Sequence, residues 1–535
     1  MKSFKHICLY AVTALAGLAM LPSCTNLDEE IYSEVISENY YESGDQVIAA
    51  MMRPWGHFCG TLSPNNSVWK WQELTADGAA WPQKGRHGYD NGNWIRMHRH
   101  QWTPTDTELE QAWNLLYMGV GFANNLLADF ERLDFERLNP GISKEQAMAE
   151  MRVYRAYCYA YLLDMFGDIP ITESLDETNP PAVPRAEAFD YVVKELTENI
   201  PFLSDNKTTT YGRVSKWGAT TLLAHLYLNA EVYTGTARWD DCIAACDEVI
   251  NSGQFRLDEH WNDPFKVDND KNSQENIWVI VYDEIYAAGM NWYTLWFHYA
   301  MQAGWELEGG PWNGLVTQPT FYDSFADNDL RKTEGFLIGV QYPRVQREDG
   351  SYYFDTDAEP LKGSEEYVGQ PLEFVNYIKS MTEGEENSGA RSIKYEVVNG
   401  ARGDMSNDWV LFRYADVLFM KAEALMRKNG GTATQEVVDL VNSVRQRAFA
   451  PEDWEAAKYT TTTLTMDEFL AERGREFAFE GLRRQDLIRF NKFIETSWWD
   501  KSSTTDETRK IFPIPYKKLQ ANPALGEGNA ANKTF

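Results

Sequence analysis

SKEQAMAEMRVYRAYCYAYLLDMFGDIP, residues 143–170, decides the fold class. Ser143 with Gln146 three residues on reads as a capping box that opens a helix. Ala147, Met151, Tyr154, Cys158, Tyr161, Leu162 and Met165 then recur at helical spacing. Gly167 closes the run and Pro170 forbids its continuation. Outward from there the pattern repeats. A second helix fits 186–200, stopped by Pro201. A third fits 214–233, with Ala219, Leu222, Leu223, Leu226, Tyr227 and Ala230 on one stripe, and a fourth fits 240–250, ending near Gly253. On the C-terminal side the spacing predicts helices over 409–428, 436–448, 466–479 and 487–493. Small residues within these stripes let helices approach closely, as stacked helix–turn–helix units require. Between about 255 and 405 the pattern changes. Residues 275–281 alternate like a strand, and the remainder is rich in Gly, Asn, Pro and aromatic residues, the composition of ordered loops that carry function.

The chain has 535 residues, 43% hydrophobic and 24% charged, with a mean hydropathy of −0.49. Its net charge of −30 excludes a general nucleic-acid binder, which needs a basic face to displace counterions. Lys2, Lys5 and the apolar run 7–21 read as a signal peptide over 1–23. Leu21-Pro22-Ser23-Cys24 resembles a lipobox, which would leave Cys24 as a lipidated N-terminus on a tether, 24–40. Cys59, Cys158, Cys242 and Cys246 then remain, too few for a disulfide framework. Cys242 and Cys246, one turn apart, read as buried helix residues. No phosphate loop or nucleophile elbow is present.

Several segments, in order, carry a family resemblance. They are Arg155-Ala156-Tyr157 leading to Phe166-Gly167-Asp168-Ile169-Pro170, and Ser215-Lys216-Trp217-Gly218-Ala219 leading to Leu222-Leu223-Ala224 and Tyr227-Leu228. Arg413-Tyr414-Ala415-Asp416-Val417 follows, leading to Ala422-Glu423-Ala424; then comes the run Arg473 to Phe490, and finally Phe512-Pro513-Ile514-Pro515 and Asn522-Pro523. Together they resemble the SusD/RagB family of surface lipoproteins. The resemblance implies an all-α core of four tetratricopeptide-like helix pairs, with a large loop-rich, mixed insert carrying the ligand site. The single domain would be 41–535, with scaffold at about 41–55, 105–255 and 408–535 and ligand loops at about 56–104 and 256–407. It also implies a protein without catalysis, lipid-anchored at the outer-membrane cell surface, that captures glycan for a SusC-like TonB-dependent transporter. Asp28-Glu29-Glu30 looks like the acidic export signal of such lipoproteins. An α-helical glycoside hydrolase and a peptide-capturing RagB-like protein stand as alternatives. Most of these motifs read as scaffold: the Arg and Glu residues of 473–490 most simply make ion pairs between packed helices.

Sugar rings present C–H faces, so flat aromatic rings are their natural platforms, with polar groups reading hydroxyls at the rim. Thirteen of the 19 tryptophans fall in 55–113 and 261–312. Trp81, Trp94, Trp292, Trp296 and Trp312 are the expected stacking rings, with Asp77, Asn93, Arg96 and Asn291 as hydroxyl partners. Lys84 to His100 holds Lys84, Arg86, Arg96, Arg99, His87, His98 and His100 against one acid, Asp90. This patch reads either as a seat for an anionic sugar substituent such as a uronic acid or as a partner for acidic groups elsewhere. The resemblance brings no cofactor. Asp268-Asn269-Asp270-Lys271-Asn272 is not an EF-hand and leaves only weak calcium binding open; no other metal site is expected.

Overall fold

The computed structural model describes residues 40–534 apart from 178, 527 and 528. The signal peptide, Cys24 and Asp28-Glu29-Glu30 lie outside the described residues. The chain divides after Glu42, and residues 43–535 make one compact unit that holds every helix and strand named below. Its main helices are α1 (Gly44–Cys59), α2 (Ser67–Glu73), α3 (Thr107–Arg132), α4 (Lys144–Phe166), α5 (Arg185–Asn199), α6 (Lys216–Thr234) and α7 (Trp239–Asn251). After a long insert come α8 (Tyr414–Lys428), α9 (Gln435–Arg445), α10 (Met466–Glu476) and α11 (Arg483–Arg489).

From α3 to α9 each helix packs on the next in sequence, and α4 on α6 and α6 on α8. This pattern of neighbours and next-neighbours is that of stacked helix pairs. Small residues set the spacing: a Cβ at Gly119 of α3 would lie 2.7 Å from Cys158 Sγ and 3.0 Å from Tyr154 Oη of α4. Caps fix the ends. Ser143 Oγ accepts from Gln146 N–H at 3.1 Å and Ser215 Oγ from Gly218 N–H at 3.2 Å, while Gly235, at φ 76°, ends α6. The box expected at Ser143 is half made, because the Gln146 amide turns instead to Glu150 Oε1 at 3.1 Å. Cys242 and Cys246 are fully buried, with Cys242 Sγ facing Met420 O of α8.

Three expected boundaries move. Residues 409–413 are not helical; they form strand β2 (Trp409–Arg413), antiparallel to β1 (Asn276–Ile280), with Trp409 opposite Ile280 and Arg413 opposite Asn276. The aromatic and branched run WVLFR suits a pleated surface, and Arg413 is extended at φ −137°, so the helix begins at Tyr414. The helix expected to reach 479 stops at Glu476, because Phe479 turns left-handed at φ 66° and swings Glu480 toward Arg413. The helix expected at 487–493 lies one turn earlier, since it turns charged residues inward and apolar spacing misplaces it.

Those inward charges form a buried network. Arg413 Nη1 donates to Glu275 Oε1 and Glu476 Oε1, both at 2.8 Å, and its Nε and Nη2 to Glu480 at 2.9 and 2.8 Å. Arg331, from the insert, reaches Glu472 at 2.9 Å and Glu476 at 3.0 Å. Arg473 joins Asp416 of α8 to Asp486 of α11, both at 2.8 Å, and Arg484 reaches Asp164 of α4 at 2.7 Å. Burial pushes the Glu472 and Glu423 carboxyls up, but the surrounding arginines (Arg331, Arg475 and Arg445; Arg489 and Arg427) outweigh it and hold both at about 2.

Both carboxylates titrate near 4.5 when unfolded. Their stabilisation is therefore full above that pH and is lost as pH falls toward about 2. A melting temperature that falls steeply across this acid range is the expected outcome in calorimetry. Glu476→Gln, which leaves Arg413, Arg447 and Arg331 short of a counter-charge, should cost about 3–5 kcal/mol in denaturant unfolding at neutral pH.

Candidate functional site

The two tryptophan-rich regions meet. Ala79–Ala80 pairs antiparallel with Val316–Thr317, and the Gln318 amide donates to Ala76 O at 2.8 Å and Ala79 O at 3.0 Å. The buried Lys84 ammonium caps Asn313 O at 2.5 Å and Gly314 O at 2.9 Å; burial, with Arg391 nearby, pushes its pKa well below the ordinary lysine value. Trp81 is the wedge of this joint. It stacks on Trp94 with centroids 5.0 Å apart and planes at 17°. A Cβ at Gly314 would lie 2.6 Å from its ring, and one at Gly88 would lie 3.3 Å from its Nε1. Both positions require glycine, Gly88 also for its φ of 73°.

The joint leaves one tryptophan in the open. Asn313, buried at φ 54°, receives Arg391 Nη2 on Oδ1 at 2.8 Å and donates Nδ2 to Glu386 O at 2.9 Å. Trp312 N–H donates to Thr294 O at 2.7 Å. With the backbone held on both sides, the Trp312 indole stays 46% exposed. Thr294 in turn bonds Asn291 O at 2.7 Å, which puts Asn291, half-buried, beside that ring's anchor, with its Nδ2 spent on Gly403 O at 3.0 Å and Asp404 Oδ1 at 3.1 Å and its Oδ1 left over.

The other expected rings do not present faces. Trp292 and Trp296 are fully buried in one short helix. Trp292 packs on Tyr395 and donates to Ser392 O, and Trp296 packs on Phe479, so both pin the insert to the scaffold. Trp81 and Trp94 cover one another. Of the polar candidates, Asp77 is held by Arg483 at 2.7 and 2.8 Å. Arg96 is spent on Asp106, on Asn91 O and on Asn93 Oδ1, the last at 2.6 Å, which spends Asn93 as well. The basic stretch turns inward in the same way. Arg99 pairs with Asp500 at 2.8 Å, and the ring nitrogens of His98 and His100 meet Trp499 O and Thr75 O. Burial pushes His98 down to about 4, which keeps it neutral. The acidic partners lie within the chain, and only Arg86 and His87 stay open, near Glu365. Asn269 is consumed by Pro264 and Asp408, and no group of three or more His, Cys, Asp or Glu side chains is placed to hold a metal among the described residues.

Two tyrosines absent from the sequence reading are exposed, and one of them, Tyr89, extends the face. Tyr89 is 53% exposed at the tip of a loop where Gly88, Asp90, Asn91 and Gly92 all have positive φ. Tyr286 is 90% exposed on a turn in which Asp283 Oδ1 accepts from Ile285 and Tyr286 N–H. Tyr89 adjoins Gly88 and Trp312 lies two residues from Gly314, so both flank the Trp81 wedge within roughly 20 Å of each other by chain connectivity. The signal for Tyr89 was the turn chemistry of Gly88-Tyr89-Asp90-Asn91-Gly92, which thrusts its one aromatic residue outward.

The "SusD family" model matches residues 274–530, and a second, "Starch-binding associating with outer membrane", matches 63–228. The starch-binding protein SusD of Bacteroides thetaiotaomicron is 25% identical over 503 residues, covering 88% of this chain and 84% of that one. A SusD superfamily protein from Parabacteroides distasonis superposes with a TM-score of 0.70 at 21% identity, over 92% of this chain and 99% of that one. Surface glycan-binding protein A from B. thetaiotaomicron, in complex with laminarihexaose, does so at 0.67 and 18%, over 90% and 98%.

Trp81 and Trp312 should part company on truncation. Trp81→Ala opens a cavity at the joint and is expected to cost about 3–5 kcal/mol. Trp312→Ala, at an exposed site, should stay within about 0.5 kcal/mol in the same urea unfolding measurement.

Proposed function

The chain belongs to the SusD/RagB family, and from that premise we propose that it is a non-catalytic glycan-binding lipoprotein of the cell surface. It captures oligo- or polysaccharide and passes it to a partner TonB-dependent transporter in the outer membrane, to which it is tethered through lipid on Cys24. No helix among the described residues is long and apolar enough to cross a membrane, which fits a tether rather than a span. One observation carries the glycan reading: Trp312 is held open by a backbone fixed on both sides, its own N–H on Thr294 O and the next two carbonyls on the Lys84 ammonium. An indole so fixed offers a flat face without losing freedom on binding. The Asn291 Oδ1 at its foot and the Tyr89 ring across the Trp81 wedge supply the rim and a further step for a chain of sugars. The engagement of Arg96, Arg99 and His98 within the protein favours a neutral glycan over a uronic-acid polymer.

A platform of two or three rings with open edges binds at about micromolar to millimolar Kd, roughly −8 to −4 kcal/mol. Calorimetric titration with laminari- and malto-oligosaccharides should show such binding, weakened at least about tenfold by Trp312→Ala. Affinity should be unchanged between low and high salt. Release of reducing ends from any of these glycans would identify an enzyme instead, and competition by peptides would identify a peptide carrier.

A further inference from the structure

A second cleft, of about 360 Å³, lies between the loop that leads into α6 and the segment that leads into β1. It shares no lining residue with the Trp312 face. Its wall is Tyr211, 40% exposed, whose phenol donates to Asp408 Oδ2 at 2.5 Å. Asp408 is itself fixed by Tyr282 N–H at 2.8 Å and by its own backbone bonds with Asn269. The ring is therefore anchored at its polar end while its face borders the cleft. Unspent groups surround it. Among the described residues the Gln274 amide and the Thr208 hydroxyl line the cleft without a hydrogen-bond partner, and Asn276 Oδ1 is buried without one while its Nδ2 is held by Pro264 O. Charges nearly cancel: Arg213 is taken by Glu150 at 3.3 Å, Lys271 lies 3.7 Å from Asp270, and the Lys207 ammonium, hydrogen-bonded to Gln254 O, is drawn to the Asp258 carboxylate.

An anchored aromatic wall, free donors and acceptors of both kinds, and little net charge are the chemistry of a hydroxyl-rich neutral ligand. A volume near the lower limit of ligand sites suits one or two rings, not a polymer. We propose that this cleft is a second, independent binding site for a single neutral sugar unit or comparable polyol. Gln274 and Thr208 read its hydroxyls and Tyr211 walls its apolar face. The proposal takes only the choice of probe from the glycan reading above.

The test uses saturation-transfer NMR with D-glucose on the full chain carrying Trp312→Ala, which takes the main ring from the first platform. Transfer to glucose should persist in that protein and fall by about tenfold when Gln274→Ala and Thr208→Val are added, with an unchanged melting temperature. Equal transfer in the two proteins, or none in the first, overturns the cleft as a site. Stronger transfer to D-glucuronate than to glucose, lost on Lys207→Met, overturns its neutral class. Unaltered oligosaccharide binding by Trp312→Ala would count against the first platform alone, and the comparison at Gln274 and Thr208 would still judge the cleft.

Discussion

The guanidinium of Arg413 is the point through which the molecule is tied together. It stands at the end of β2, where the insert returns to the helices, and it meets carboxylates from three separate places: Glu275 before β1, Glu476 at the end of α10, and Glu480 in the turn beyond. Arg331 and Lys394 bring two further parts of the insert to the same carboxylates. Arg473, Arg489 and Arg484 carry the lattice on to α8, α11 and α4. Charges this deep are costly to desolvate, and each is tolerable only with its partners in place. The network therefore penalises any arrangement in which the insert sits elsewhere on the scaffold, which apolar packing alone, being non-directional, penalises less.

Helices were legible because burial of one face leaves a period in the sequence, and α4, α5, α6 and α7 start and stop within two residues of where caps and prolines place them. The pairing of acids and bases in 473–490 was legible for a related reason: five arginines with two glutamates and an aspartate in so short a run have few other ways to be buried. What failed was direction. Clustering of tryptophan pointed to two windows that do meet in the fold but said nothing of which side of each loop faces water, since that depends on partners hundreds of residues away. Trp296 lies against Phe479, Trp69 donates to Phe479 O, and Trp81 lies against Gly314. In the described residues these indoles are buried except Trp312, and Tyr89 is exposed because its turn pushes it out. Of the two readings of the basic stretch, the fold takes the internal one: most of its seven basic or imidazole side chains go to separate acceptors within the protein.

Rigid aromatic faces and a rigid joint belong together. A loop that must be ordered on ligand binding loses affinity to that ordering. Here the ordering is done in advance by Trp81, Lys84, Asn313 and Arg391, whose bonds are all internal, so that Trp312 has nothing left to arrange.

The helical stack runs on from α7 to α8 as though the 162 residues between Asn251 and Tyr414 were absent, for these two helices pack directly against each other. The excursion leaves and re-enters through one narrow doorway, framed by the β1–β2 pair. Lengthening a surface loop within it adds little closure entropy, and no helix seam has to shift to accommodate the change. The architecture thus separates the part that must keep its shape from the part that can be rewritten, and a collection of such chains with one frame and many different mouths is what that separation permits.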